Sequence, residues 1–344
     1  MRKYLCYEIK KNIWTLFVLS AVCLIPYVAT VSTMLLTYGS EYPANPRLGI
    51  MAFELIVLAF VVPVYCFSFK MQKRSVDFYY ALPLKKEKLY AVKLLVGALL
   101  VLVPYTVAYF GGFFTLLCRE ENVFLMKWYV PAYFSGILCG ICLYLINAFV
   151  FTRANKTLDG VVFMFAYVLL GALVLAYIEA VAHTYFRSYL MESFTTVFPC
   201  ITLHSEFARL IRGYNGDFSW LDFAVPCVAA VVACTLFFVL IRFEKSERAE
   251  GISQSWWGYK TLIPAYTALA IGVSYLSVLS VALTGVAALV ATFVYQRKFK
   301  MAWKYWLMVG GSILLGLLLN GLVEWTMPPA VNPPTEIFFQ GLCL

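Results

Sequence analysis

The chain has 344 residues, of which 62% are hydrophobic and only 13% are charged, and its formal net charge is +9. Soluble domains carry about 25% charged and about 45–50% apolar residues, so this composition excludes a domain solvated by water alone. The positive charges lie between long apolar runs and form no single basic face. That arrangement indicates membrane topology and argues against nucleic acid as a partner.

The N-terminal segment 1–13 predicts an amphipathic helix in the membrane interface. Leu5, Ile9 and Ile13 recur every four residues, with lysines between them. The apolar run that follows is too long for the apolar region of a signal peptide and has no convincing cleavage site, so we interpret it as a retained first span.

Further apolar runs of about 20 residues predict membrane-spanning helices. The stretch from Leu262 to Tyr295 would be roughly 50 Å long as one helix, against a bilayer core of roughly 30 Å. It is therefore predicted to form two short spans with a tight turn near Ser277–Ser280. The predicted spans are 14–36, 49–69, 92–117, 131–151, 161–183, 222–242, 262–278, 280–295 and 303–325.

The predicted fold class is all-α, a polytopic helical membrane protein in three parts. Segment 1–13 is the interfacial helix. Segment 14–242 is a six-span core with a basic loop at 70–93 and an outer loop at 184–221. Segment 243–344 adds a cytoplasmic connector, the C-terminal transmembrane hairpin, the last span and a short extracytoplasmic tail.

The distribution of Lys and Arg predicts the orientation. With the N-terminus inside, 21 of the 27 positive residues fall in cytoplasmic segments and 6 in outer ones. Cytoplasmic loops carry such an excess. The hairpin supports the same topology, because a single span at 262–295 would place the basic segment 296–304 outside.

The sequence carries no recognisable catalytic or nucleotide-binding motif. It has no GxxxxGK[ST] phosphate loop, no HExxH and no GxSxG, so we expect no enzymatic activity and no cofactor or metal in this chain. Cys139 and Cys142 form a CxxC within an apolar run, where packing between helices is favoured over a zinc or redox site. A disulfide between Cys118 and Cys200 is left open.

A few polar side chains interrupt the predicted spans. The carboxylates of Glu54, Glu179 and Glu324 each fall within about six residues of an outer span end, where charge is tolerated better than at the bilayer centre. They either reach the outer headgroups or line a translocation path for a cationic or amphipathic substrate. Asn147, another path residue in this interpretation, can also bond between helices, as can Asn320.

The loop KMQKRSVDFYYALPLKKEKLYAVK, residues 70–93, is the most charged stretch of the chain. Its first half predicts a short helix with Val76, Tyr79 and Tyr80 on one face, and Pro83 ends that helix. Such a helix either docks in a groove of another protein or only anchors the loop at the membrane surface.

The segment SVDFYYALPLKKEKLYAVKLL resembles the loop after the second span in ABC-2-type exporter permeases of Gram-positive bacteria. The segment FEKSERAEGIS, residues 243–253, is similar to a Ser-Glu-Arg-Ala segment in one branch of that family, and QRKFKMAWKYW precedes the last span in a comparable place. The residues that carry the first match are Ser75, Asp77, Tyr79, Leu82, Pro83, Leu84 and Lys93.

The resemblance implies the permease subunit of an ATP-driven exporter in the bacterial cytoplasmic membrane. Two copies, or this chain and a homologous one, would pair with a dimeric ABC ATPase that binds ATP and Mg²⁺ in its own chains. Ser246, Glu247 and Arg248 would form a second cytoplasmic contact. The residues implied to couple to the ATPase are Arg74, Ser75, Asp77, Tyr79, Tyr80, Leu82, Pro83, Lys85 and Lys86.

The alternative function is a non-transporting membrane sensor or scaffold that recruits a cytoplasmic regulator. A secondary transporter is a third hypothesis, but neither the inverted repeats nor the midplane charges typical of that class are evident. The family suggests an amphipathic substrate such as a peptide, a lipid or a cell-wall-active antibiotic. Some relatives carry a soluble domain after the final span, where this sequence has its proline-rich tail.

The topology is testable with single cysteines in a cysteine-free background. We expect position 75 to be shielded from a membrane-impermeant thiol reagent on intact cells and position 215 to react, because the basic loop lies inside. Permeabilised cells are the control, in which both positions should react. Labelling at position 75 but not 215 on intact cells would invert the proposed orientation.

Overall fold

The structure is a computed structural model. It describes residues 2–37, 48–118, 126–182, 220–243, 249–251, 253, 255–273, 278–296 and 303–326. The predicted second contact at Ser246, Glu247 and Arg248 lies outside the described residues, as do most of the outer loop 184–221 and the predicted tail.

Within the described residues the fold is all-helical, which confirms the predicted all-α class. The six-span core with additional C-terminal spans stays a prediction. A short 3-10 helix, Ser68–Met71, follows the third helix. The α-helices, numbered in chain order, are α1 Arg2–Lys11, α2 Ile13–Thr37, α3 Leu48–Phe67, α4 Lys73–Tyr80, α5 Lys86–Leu117, α6 Met126–Thr152, α7 Thr157–Ala182, α8 Trp220–Ile241, α9 Tyr259–Val273, α10 Val278–Gln296 and α11 Trp303–Thr326.

Six helices among the described residues are long and apolar enough to cross a membrane, so the chain is a multi-pass membrane protein. These helices are α2, α3 with its 3-10 extension, α5, α6, α10 and α11. The spans predicted at 161–183, 222–242 and 262–278 coincide with α7, α8 and α9, and their crossing of the membrane stays a prediction. The C-terminal break differs in position, because α9 ends at Val273 and Ser280 already lies within α10.

Two compact units divide the chain. The first unit comprises residues 1–168 and 196–259. In its core α5 packs against α2 and α3, and α6 packs against α3 and α8. Cys139 and Cys142 are buried in this core, which fits the packing interpretation. Gly112 faces the ring of Tyr27 so closely that an added Cβ would collide with it, and such small residues let membrane helices approach.

The second unit comprises residues 169–195 and 260–344. Here Gly316 of α11 lies against Ile271 of α9, with no space for a side chain between them. Asn320 donates from its side-chain amide to the Ile271 carbonyl at 3.1 Å. The hydrogen bond agrees with the interpretation of Asn320 as a link between membrane helices.

Candidate functional site

The helix predicted within the basic loop is present as α4. Gln72 precedes it in an extended conformation, and the Val76 amide donates to the Gln72 carbonyl at 2.9 Å. At the end of the helix the Ala81 amide donates a hydrogen bond to the Asp77 carbonyl at 3.0 Å. Pro83 prevents continuation, since it disfavours helical geometry in the residue before it. The helix occupies eight residues, Lys73–Tyr80, in the first half of the basic loop.

One face of α4 packs against its own chain. Val76 is buried, whereas Tyr79 and Tyr80 are half-buried. The Tyr79 ring lies 4.6 Å from the Phe69 ring, centroid to centroid. The Tyr80 hydroxyl lies 3.1 Å from the Tyr90 hydroxyl at the start of α5. The two tyrosines, which the resemblance implies to couple to the ATPase, therefore contact this chain in the structure.

The opposite face of α4 is exposed and has no element of the described chain over it. Phe78 is 68% exposed, and Arg74, Asp77 and Ala81 are also exposed. Spacings of three and four place these residues on one side of a helix. We call them the α4 outer face. The sequence analysis did not single out Phe78, the exposed aromatic side chain next to Asp77.

The other predicted coupling residues surround this helix. Ser75 is half-buried and donates to the Gln72 side-chain oxygen at 3.2 Å. Leu82, Pro83 and Lys85 form the turn into α5. The Lys86 ammonium lies 4.6 Å above the Tyr80 ring, a cation–π contact that ties the turn to α4.

A buried ion pair lies beside α4 and joins α1 to α5. The Lys93 ammonium is 2.9 Å from Glu8 Oε2, and the exposed side-chain fractions are 9% and 1%. Tyr4 donates its hydroxyl hydrogen to Glu8 Oε1 at 2.8 Å. The pKa of Tyr4 is raised well above its usual value by burial and then by the Glu8 carboxylate, so Tyr4 stays a donor at physiological pH.

The same lysine faces the inner side of α4. Its ammonium lies 4.9 Å from the Tyr79 ring and 5.6 Å from the Phe69 ring. Both aromatic faces are attractive to a cation. Lys93 therefore contacts α1 through Glu8, α4 through Tyr79 and the 3-10 helix through Phe69. We call Glu8, Lys93, Tyr79 and Phe69 the Glu8 cluster.

Helix α1 is fixed to the bundle by polar rather than apolar side chains. Glu8 in α1 and Asn12, which directly follows the helix, are buried, whereas Ile9 and Ile13 are exposed. The Asn12 side chain donates to the Glu8 carbonyl at 2.7 Å and accepts from the Tyr65 hydroxyl at 2.7 Å. The exposed isoleucines fit the predicted contact with the membrane interface, but the sequence analysis did not identify the polar attachment.

A cleft of about 210 Å³ opens between α1, α4 and the 3-10 helix, and its lining includes Lys11, Gln72 and Lys93. Lys11 donates to the Tyr79 hydroxyl at 3.4 Å. Burial lowers the pKa of Lys11, but the Tyr79 and Glu8 oxygens act in the opposite direction, and the net shift is upward. Lys11 therefore remains a cation that links α1 to α4.

The segment after α8 also reaches α4. The Lys73 backbone amide donates to Glu250 Oε1 at 3.3 Å, and the two side chains form an exposed ion pair at 3.9 Å. Glu250 has a φ of 64°, the left-handed region that non-glycine residues seldom adopt. Its amide bonds to the Asn155 carbonyl at 3.0 Å. This contact is next to, but not part of, the predicted segment at 246–248.

The predicted translocation-path residues have different surroundings. Glu54 lies in α3 with both carboxylate oxygens buried. Asn147 is buried in α6 and donates to the Ala59 carbonyl at 3.0 Å, the bond expected of a link between helices. Glu324 is exposed on α11. Glu179 falls within α7, but its side chain lies outside the described residues.

No group of His, Cys, Asp and Glu side chains able to hold a metal ion occurs in the described ranges. Comparison with known proteins found no matching family model, no matching curated protein and no matching solved structure.

The Glu8–Lys93 pair is testable by changing each partner alone and both together. Lys93→Met or Glu8→Leu should lower the free energy of unfolding by about 3–5 kcal/mol, because each leaves one buried charge without its partner. The combined variant should recover most of that loss, since both charges are gone. Thermal unfolding in detergent measures all three.

The exposed pair Arg242–Glu87, 2.8 Å apart at the ends of α8 and α5, provides a matched control. Arg242→Met should lower the free energy of unfolding by only about 0–1 kcal/mol, as expected for an ion pair exposed to water. If the combined Glu8 and Lys93 variant is as unstable as the two single losses added together, the two residues do not form a coupled pair.

Proposed function

We propose that the chain is the membrane-spanning permease subunit of an ATP-driven ABC exporter and that α4 couples it to a separate ATPase subunit. The single observation behind this proposal is the two-sided character of α4. Its inner face is bound to α5 and the 3-10 helix, while the α4 outer face offers Phe78, Asp77 and Arg74 to a partner.

The chemistry of the sequence favours an external source of energy. The chain has no phosphate-binding loop, so hydrolysis would take place in the partner, which would hold ATP and Mg²⁺. Interfaces between proteins are commonly centred on an aromatic or arginine side chain that enters a pocket. The α4 outer face carries both kinds of side chain, the aromatic Phe78 and the charged Arg74, with Asp77 between them.

The contacts of α4 also suit the transmission of force. Tyr79 packs on Phe69 of the 3-10 helix that follows α3, and the Tyr80 hydroxyl contacts that of Tyr90 in α5. A displacement of α4 would therefore be transmitted to α3 and α5 through aromatic contacts. It would also be transmitted to α1 through the Lys93–Glu8 pair. Motion of packed elements as rigid bodies is a common means of switching.

The expected assembly follows the family resemblance. Two permease chains, identical or homologous, would sit on an ATPase dimer in the bacterial cytoplasmic membrane, with the N-terminus inside and lipid around the spans. The substrate class would be amphipathic: a peptide, a lipid or a cell-wall-active antibiotic. The alternative, a sensor or scaffold that recruits a regulator, would use the same α4 outer face without ATP hydrolysis.

The partner can be identified with a photo-crosslinking amino acid at position 78 in the host that encodes the chain. We expect an adduct with a subunit that a photoreactive ATP analogue also labels, because Phe78 would lie in the interface. Position 17 is the matched control, since Phe17 is 66% exposed but lies within a membrane span, and no such adduct should form there.

Once the partner is known, Phe78→Ala should weaken its binding by roughly 2 kcal/mol, or about 30-fold, the size of a typical interface hot spot. Phe17→Ala should leave binding unchanged. A position-78 adduct that binds no ATP would favour the sensor alternative, and adducts of equal yield at both positions would remove α4 as the contact.

A further inference from the structure

A glutamate near the predicted outer end of α3 has no hydrogen-bond partner for its carboxylate among the described residues. Glu54 lies in α3, within the candidate span Leu48–Met71. Its stem is partly exposed, but both carboxylate oxygens are buried, and no group among the described residues donates a hydrogen bond to them. A buried carboxylate in this position is therefore unusual and demands a chemical explanation.

The side chains near Glu54 come from the two helices that flank it. Cys23 and Tyr27 of α2 and Tyr105 of α5 lie within electrostatic reach of its carboxyl group. From α6, Tyr129 lies behind Tyr27, with their hydroxyls 3.0 Å apart. None of these groups carries a charge at neutral pH, and no charged side chain of the described part acts on Glu54.

The Tyr105 hydroxyl is a second buried polar group without a hydrogen-bond partner. Its tyrosine neighbours differ, because the Tyr27 and Tyr129 hydroxyls contact each other and the Tyr109 hydroxyl donates to the Tyr129 carbonyl at 2.7 Å. Glu54 and Tyr105 thus leave three unsatisfied oxygens in one region of the bundle. Each such group carries a desolvation penalty unless it finds a partner.

Physical chemistry limits what can satisfy Glu54 in this packing. An ionised carboxylate in an apolar medium without a counter-charge is strongly unfavourable, and such groups take up a proton instead. A proton adds no volume to a close-packed bundle, and it converts an acceptor-only group into one with an O–H donor. Ionisable side chains within membrane spans commonly mark proton or substrate pathways, so Glu54 is a candidate functional residue.

We propose that Glu54 is a proton-binding site in the membrane bundle, loaded in the packed arrangement described here. Its proton is held while α2, α3 and α5 stay in contact around it. Rearrangement that admits water to the carboxyl group allows the proton to leave, since the carboxylate is then solvated. The chain would thereby exchange one proton as the bundle opens and closes, in addition to any coupling to ATP hydrolysis.

Dicyclohexylcarbodiimide provides the test, because it is an apolar reagent that reacts with protonated carboxyl groups in membranes. The purified full-length chain in lipid is treated at neutral pH, and modified peptides are located by mass spectrometry. Glu250 is exposed and lies outside the membrane helices, and it is the control because an apolar reagent concentrates in the membrane rather than in water. We expect Glu54 to be modified at least about tenfold more than Glu250.

The pH dependence and a substitution complete the test. Labelling of Glu54 should fall as the pH is raised into the alkaline range, and Glu54→Gln should abolish it while keeping the unfolding temperature at neutral pH, because glutamine resembles the neutral acid. A Glu54 that resists the reagent at every pH overturns the proposal. So does a large drop in unfolding temperature for Glu54→Gln, which would indicate an ionised, paired carboxylate.

This test is independent of the proposed exporter function. It uses neither the ATPase nor the transported substrate, so a missing ATPase partner would leave the labelling result intact. Conversely, an unreactive Glu54 would remove the proton site without changing the expected crosslink from position 78.

Discussion

The arrangement of the predicted cytoplasmic end depends on one buried ion pair, between Glu8 of α1 and Lys93 of α5. Two charges removed from water are stable only when paired closely and hydrogen-bonded further, and here Tyr4 supplies the additional donor while Tyr79 and Phe69 offer their ring faces. Because the penalty for separating the pair is large, α1 is fixed in one position against the bundle.

The ion pair also restricts which face of α4 is exposed. With its inner face held by Lys93, Lys11 and the aromatic rings, α4 can present only the opposite face. The proposed coupling follows from this restriction, since a rigidly held helix transmits displacement to the spans on either side of it. Glu54 in α3 differs from the paired Glu8. Its buried carboxyl group has no hydrogen-bond partner among the described residues.

Long apolar runs made the membrane helices predictable, because about 20 apolar residues have few alternatives to a span. The helix at α4 was also predictable, since Pro83 ends it. The orientation of α4 was not, because Tyr79 and Tyr80 are chemically suited either to a partner or to this chain. Only tertiary contacts decide between them. The Glu8–Lys93 pair was not predictable, because the two residues are 85 positions apart. The one feature of the sequence that hinted at a buried partner was a lysine among apolar neighbours, seven residues after the start of α5.

Hydrogen exchange of the backbone amides in lipid tests most directly whether α1, α4 and the start of α5 behave as one unit. If the ion pair holds these elements together, the amides of α1 and α4 open with similar free energies, and Lys93→Met lowers both by a similar amount. Cooperative units of this kind exchange together. Loss of protection in α1 alone, with α4 unchanged, would show that the ion pair holds only the N-terminal helix and that α4 is not part of the same unit.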